Sequence, residues 1–180
     1  MKTNIGKSLF CTAVLAIFIL PLMGNTACAT SERIFCFNRN HDTEVWETNP
    51  ENLEDCNEST YASTTDASDV HRLIANTCTG TETEIIDKVY IRVKGYWSGA
   101  DRDIVLQPVF GGSLDGDNHS FDASDTSRWS DWFEISDDTN THTYWTWRDV
   151  ANLDCKVKVG IGSSGFTLYA SKVEIKVTYD

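Results

Sequence analysis

The stretch best equipped for chemistry is Asp115-Gly116-Asp117-Asn118-His119-Ser120-Phe121-Asp122. Closely spaced oxygen donors on a flexible, glycine-containing segment are what a Ca²⁺ ion needs. Asp115, Asp117 and Asp122 are therefore the candidate metal ligands, and calcium is the only cofactor the sequence brings into question. The order of acids is not that of an EF-hand: His119 stands where a third acid would fall, and no glutamate closes the loop. A solvated surface loop explains the same residues without a metal.

The other titratable groups offer less. Glycoside hydrolysis needs two carboxylates at a set separation, and Asp115, Asp117, Asp122, Asp125, Asp137 and Asp138 lie in polar stretches with no spacing that singles out a pair. His41, His71, His119 and His142 are scattered, and none adjoins a serine or cysteine in a nucleophile motif. No C-x-x-C spacing points to zinc. The chain is expected to be non-enzymatic.

Recognition by aromatic side chains is the chemistry that remains. Between Val89 and Tyr96 an apolar row (Val89, Ile91, Val93) alternates with a polar-aromatic row (Tyr90, Arg92, Lys94, Tyr96), the period-two pattern of a strand buried on one side. Trp132 falls in the outward row of another strand. Tyr90, Arg92, Lys94, Tyr96 and Trp132 are the candidate binding residues, because aromatic planes flanked by polar groups stack on sugar rings and anchor protein interfaces. A neighbouring element lying over them would remove that role. Trp145 and Trp147, at the start of a short helix, are expected to plug one end of the core instead.

The elements that must position these residues are strands. Residues 85–97 form a long one, and Val173, Ile175, Val177 and Tyr179 repeat its alternation within a last strand over residues 166–179. Residues 34–37, 61–65, 69–75, 104–110 and 128–135, and a strand marked by Val157, Val159 and Ile161, complete the set, while residues 111–125 read as irregular. Pro108 lacks a ladder donor, so an edge or a bulge is expected there. Residues 145–153 are the one helical segment, with Thr146 and Asp149 spaced for a capping box. Eight or nine mainly antiparallel strands separated by turn residues indicate an all-β fold, a β-sandwich of jelly-roll type.

Residues 1–29 read as a signal peptide: Lys2 and Lys7, an apolar run from Leu9 to Leu20 broken only by Thr12, then Pro21 and the small-residue site Ala27-Cys28-Ala29. Residues 30–180 are then a single secreted domain, extracellular or at the cell surface, with no stable membrane insertion after cleavage. Loss of Lys2 and Lys7 leaves 13 cations (15 less two) against 27 acids, a formal charge of −14. That charge argues against nucleic acid as a partner. Copies of the chain, other surface proteins or extracellular glycans remain.

Cys36, Cys56, Cys78 and Cys155 follow the cleavage site, and an even number in an exported chain reads as two disulfides. If residues 61–65 and 69–75 form a hairpin, facing positions share an index sum near 134, which is also 56 plus 78. The expected bridges are accordingly Cys56–Cys78 and Cys36–Cys155. Asn57-Glu58-Ser59 and Asn118-His119-Ser120 are sequons in predicted loops, open to glycosylation in a host with the machinery.

Trp46-x-x-Asn49-Pro50, Tyr61-Ala62, the strand over residues 85–96, Trp145-x-Trp147-x-x-Val150-x-x-Leu153 and Val173-x-Ile175-x-Val177-x-Tyr179, in that order, resemble a loose group of β-sandwich modules. These occur in archaeal and bacterial surface proteins and in phage virion or tail proteins. The resemblance covers most of residues 30–180. It implies a jelly-roll-like fold and a structural or adhesive role, and it implies no catalytic residue. The four cysteines depart from the phage-like pattern and fit an exported subunit. The expected function is thus a secreted structural or adhesive subunit of a cell surface or filament, with strand addition by residues 34–37 to a neighbour as one route to assembly. A carbohydrate-binding module is the alternative, and a secreted glycan-active enzyme stands third.

Overall fold

A computed structural model describes residues 30–99, 102–160 and 165–180; the segment read as a signal peptide lies outside them. The strands are β1 (Ser31–Asn40), β2 (Ala62–Thr64), β3 (Val70–Asn76), β4 (Ile86–Gly99), β5 (Asp103–Phe110), β6 (Leu114–Asp115), β7 (His119–Asp122), β8 (Arg128–Trp129), β9 (Phe133–Glu134), β10 (Asp154–Val159) and β11 (Phe166–Tyr179), with one short helix, α1 (Trp147–Ala151). The chain is all-β, and the strands join antiparallel in one sheet of order β6-β5-β10-β3-β1-β11-β4-β8. β1 is the pivot of that sheet. Its residues 31–36 pair with β11, while Phe37, Arg39 and Asn40 pair with β3 across two register shifts.

The two long strands follow their alternation. Val89, Ile91 and Val93 are fully buried, as are their partners Val177, Ile175 and Val173. Gly95 continues the row, and a Cβ there would lie 2.4 Å from Ile104 Cδ1, so β5 closes onto β4 where β4 has no side chain. Ile104, Leu106, Leu73, Phe37 and Val157 complete the same core from the other strands. Pro108 sits where the ladder beside β5 breaks between β7 and β6, and its carbonyl accepts from Gly116 N at 2.8 Å. β6 and β7 occupy part of the stretch that read as irregular. Thr146 caps α1 in a reciprocal capping box with Asp149, and Trp147 is buried with its Nε1 donating to Glu84 O at 2.8 Å.

Two expectations are overturned. β2 and β3 do not pair with each other: β2 pairs with β11, and β3 lies between β1 and β10. Without that hairpin the register behind the cysteine pairing disappears. Cys36 is bonded to Cys56, with Cα atoms 5.8 Å apart, in place of the expected Cys56–Cys78 and Cys36–Cys155 bridges. A 3₁₀ turn at Pro50–Leu53 leads the chain back toward β1, and Cys56, at φ 56°, meets Cys36 there. Cys78 and Cys155 are buried thiols. Burial pushes both thiols up in pKa, which keeps them protonated and unreactive. Residues 34–37, one open route to assembly by strand addition, pair through residues 34–36 with β11 on one side, and Phe37 pairs with β3.

Candidate functional site

Register on the outward side of β4 sets a row of pairs. Tyr90 faces Lys176 and Glu134, Arg92 faces Glu174, Lys94 faces Lys172 and Trp129, and Tyr96 faces Tyr169. The parity of β11 changes between Ala170 and Lys172, where the fully buried Ser171 is the extra residue of a bulge. The bulge places Tyr169 on the same side as Lys172, Glu174 and Lys176.

Arg92 is the centre of the row. Its Cζ lies 4.0 Å from the Trp129 ring centroid and 4.1 Å from that of Trp132. Nε and Nη2 donate to Glu174 Oε2 at 2.9 and 2.6 Å. Glu174 is 5% exposed, and its other oxygen meets Lys172 Nζ at 2.8 Å. Two indoles and a carboxylate therefore satisfy both the planar surface and the charge of one guanidinium, an arrangement a lysine could not fill. Lys176 Nζ lies 4.6 Å from the Tyr90 centroid and 4.8 Å from Trp132. Among the described residues it has no ion-pair partner.

Residues 54–61 cross one half of this face. Glu58 reaches Lys94 at 3.0 Å and Lys172 at 3.9 Å, and the hydrogen bond from Lys94 holds its carboxyl below the usual range. Tyr61 packs edge-on to Tyr96 at 5.2 Å, and Tyr96 stacks flat on Tyr169 at 4.5 Å. Burial among these rings raises the phenol pKa of Tyr96.

The crossing segment is fastened by the Cys36–Cys56 bond and, at its root, through His71. Trp46 N donates to His71 Nδ1 at 3.2 Å, so Nε2 carries the proton and donates to Asn40 Oδ1 at 2.7 Å. Asn40 in turn donates from Nδ2 to Pro50 O and from its backbone N to Glu54, both at 2.9 Å. Burial lowers the His71 pKa to about 4, so the ring is neutral at pH 7.

Tyr90, Arg92 and Trp132, predicted as binding residues, come together in one strip, while Lys94 pairs with Glu58 and Tyr96 lies under Tyr61. The Trp132 ring holds the protein's own cations. Sequence reasoning missed Trp129, Tyr169, Glu174, Lys176, Glu58 and Tyr61 as members. In an unbroken strand over residues 128–135, Trp129 and Trp132 would lie on opposite faces. Ser130 breaks that strand, its Oγ accepting from Val93 N at 3.1 Å and donating to Asp131 O at 2.8 Å, and both indoles reach Arg92. For Tyr169 a signal existed: the apolar row shifts from Phe166, Leu168 and Ala170 to Val173, Ile175 and Val177, which requires one extra residue between them.

The three candidate metal ligands are not brought together. Asp115 pairs with Lys156 Nζ at 2.8 Å. Hydrogen bonds from Thr139 hold the Asp117 carboxyl below the usual range, and Asp122 is exposed on β7. Among the described residues no three His, Cys, Asp or Glu side chains are grouped to hold a metal ion. His119 instead lies 3.0 Å from the buried Asp138 and stacks on Phe133. Of the sequon residues, Asn57 accepts from Ser59 N, and Asn118 Oδ1 accepts from Lys158 Nζ at 2.6 Å. No protein-family model matches the chain, and no curated protein sequence does.

Proposed function

We propose that the chain is an exported, non-enzymatic structural or adhesive module of jelly-roll sandwich type, and that it docks acidic protein surfaces, its own copies included, through the uncovered half of the outer β4–β11 face. The observation that carries this reading is the strip of Tyr90, Trp132, Arg92 and Lys176, already fixed in place, on a chain of formal charge −12. Trp, Tyr and Arg dominate interface energetics, and side chains ordered beforehand lose little entropy on docking. A basic strip on an acidic molecule also steers approach by another acidic surface. Ile34, 49% exposed beside Lys176, adds an apolar contact at the border.

The closure of β5 onto β4 at Gly95 supports two packed layers. The Cys36–Cys56 bond supports an oxidising destination. Sedimentation and electron microscopy of the purified, disulfide-intact chain test the proposal. Assembly that weakens with salt and in Lys176→Glu, with the fold retained, is the expected result. A monomer at high concentration and low salt, with no affinity for acidic protein surfaces, would overturn it.

A further inference from the structure

A cleft of about 230 Å³ opens between β7 and the β8–β9 segment, lined by Ser120, Asp122, Arg128, Trp129, Asp131 and Phe133. We infer that it is a binding site for a single neutral sugar ring. The inference does not rest on the docking role of the strip around Lys176.

Charge narrows the ligand first. A simple anion entering the cleft meets the carboxylates of Asp122 and Asp131, and a simple cation meets the guanidinium of Arg128. An uncharged molecule that both donates and accepts hydrogen bonds suits this mixed set. Asp122 and Asp131 offer carboxylate acceptors and Ser120 a hydroxyl, and among the described residues none of the three side chains has a hydrogen-bond partner. Arg128 is braced, with its Cζ 4.9 Å from the Phe121 centroid and Nη2 donating to Asp122 O. Its other N–H groups are left for a ligand.

Shape narrows it further. Trp129 and Phe133 supply aromatic wall, and both are held before any ligand arrives, Trp129 by Arg92 and Phe133 by the stacked His119 ring. A pyranose presents C–H surface to such a wall and hydroxyls at its edge to the polar groups. The volume lies below the range of pockets that take drug-sized molecules, which suits one ring and not an extended polymer.

Saturation-transfer NMR and calorimetry on the disulfide-intact chain test the site, using the methyl glycosides of glucose, galactose, mannose and N-acetylglucosamine. Millimolar binding of at least one is expected, weakened about tenfold or more by Asp131→Ala and by Arg128→Ala. Lys176→Glu should leave it unchanged, which separates this site from the docking strip. The Asp131 side chain is exposed, so Asp131→Ala decides the matter if Arg128→Ala unfolds. The inference is overturned if none of the four glycosides binds, or if binding survives Asp131→Ala. Binding that is lost in Trp132→Ala and kept in Asp131→Ala overturns it as well, placing the sugar on the strip.

Discussion

The outer face of the β4–β11 pair is two surfaces that meet at Arg92. Both contain aromatic rings and lysines on the same two strands. Toward Tyr96, Lys94 and Lys172 meet Glu58, and the tyrosine rings meet one another beneath residues 54–61. Toward Tyr90, Lys176 meets only rings among the described residues. The strand sequences do not make this difference, since the outward row reads alike along its length. Remote fastenings make it: the Cys36–Cys56 bond and the buried chain from His71 through Asn40 to Pro50. A ring-and-cation strip becomes interior where a fastened segment lies over it, and stays a surface where that segment stops.

Removing a fastening is the largest expected effect. The bond closes a sequence separation of 20, and its loss in the Cys36→Ser, Cys56→Ser double variant should cost about 3 kcal/mol, read from urea unfolding. A much smaller loss would mean that Glu58 and Tyr61 hold the closed half unaided.

Acid should loosen the same half by a comparable amount. His71 has a folded pKa of about 4, below the unfolded value of about 6.5. The unfolded chain therefore takes up the proton first. Stability from this group is complete above about pH 6.5, falls as the pH drops toward about 4, and levels off below, a total of about 3 kcal/mol. Glu58, with its lowered pKa, begins to lose its contribution only as the pH falls into the ordinary carboxylate range, so the window above that range belongs to His71. Thermal melts between pH 7 and pH 4 should show the slope in the parent chain and a flatter one in His71→Gln; an unchanged slope would remove His71 from the anchor.

Smaller effects divide the two halves. Glu58→Gln should cost under about 1 kcal/mol, because its ion pairs are partly exposed, and should leave docking intact. Lys176→Glu should cost about 1 kcal/mol, since it removes two cation–π contacts, and should weaken salt-dependent assembly. Equal effects of the two changes on assembly would erase the distinction between closed and open halves.

Much of the fold and part of the candidate site could be read from the chain. The outward placement of Tyr90, Arg92 and Lys94 follows from alternation, and the Thr146–Asp149 cap follows from spacing. The partners of those residues do not. Trp129 joins Arg92 because Ser130 interrupts a strand, and Glu174 and Lys176 join because β11 lies beside β4 in one particular register.

By itself, then, the sequence determined where the long strands run, which row of β4 is buried, and which residues cap the helix, because these rest on contacts within a few residues. Only the tertiary structure decided that β2 joins β11, that Cys36 bonds Cys56, and that half of the outer face is roofed. Those outcomes depend on which strands are neighbours and in what register. A shift of one residue exchanges the faces of a strand, and local spacing carries no record of such a choice.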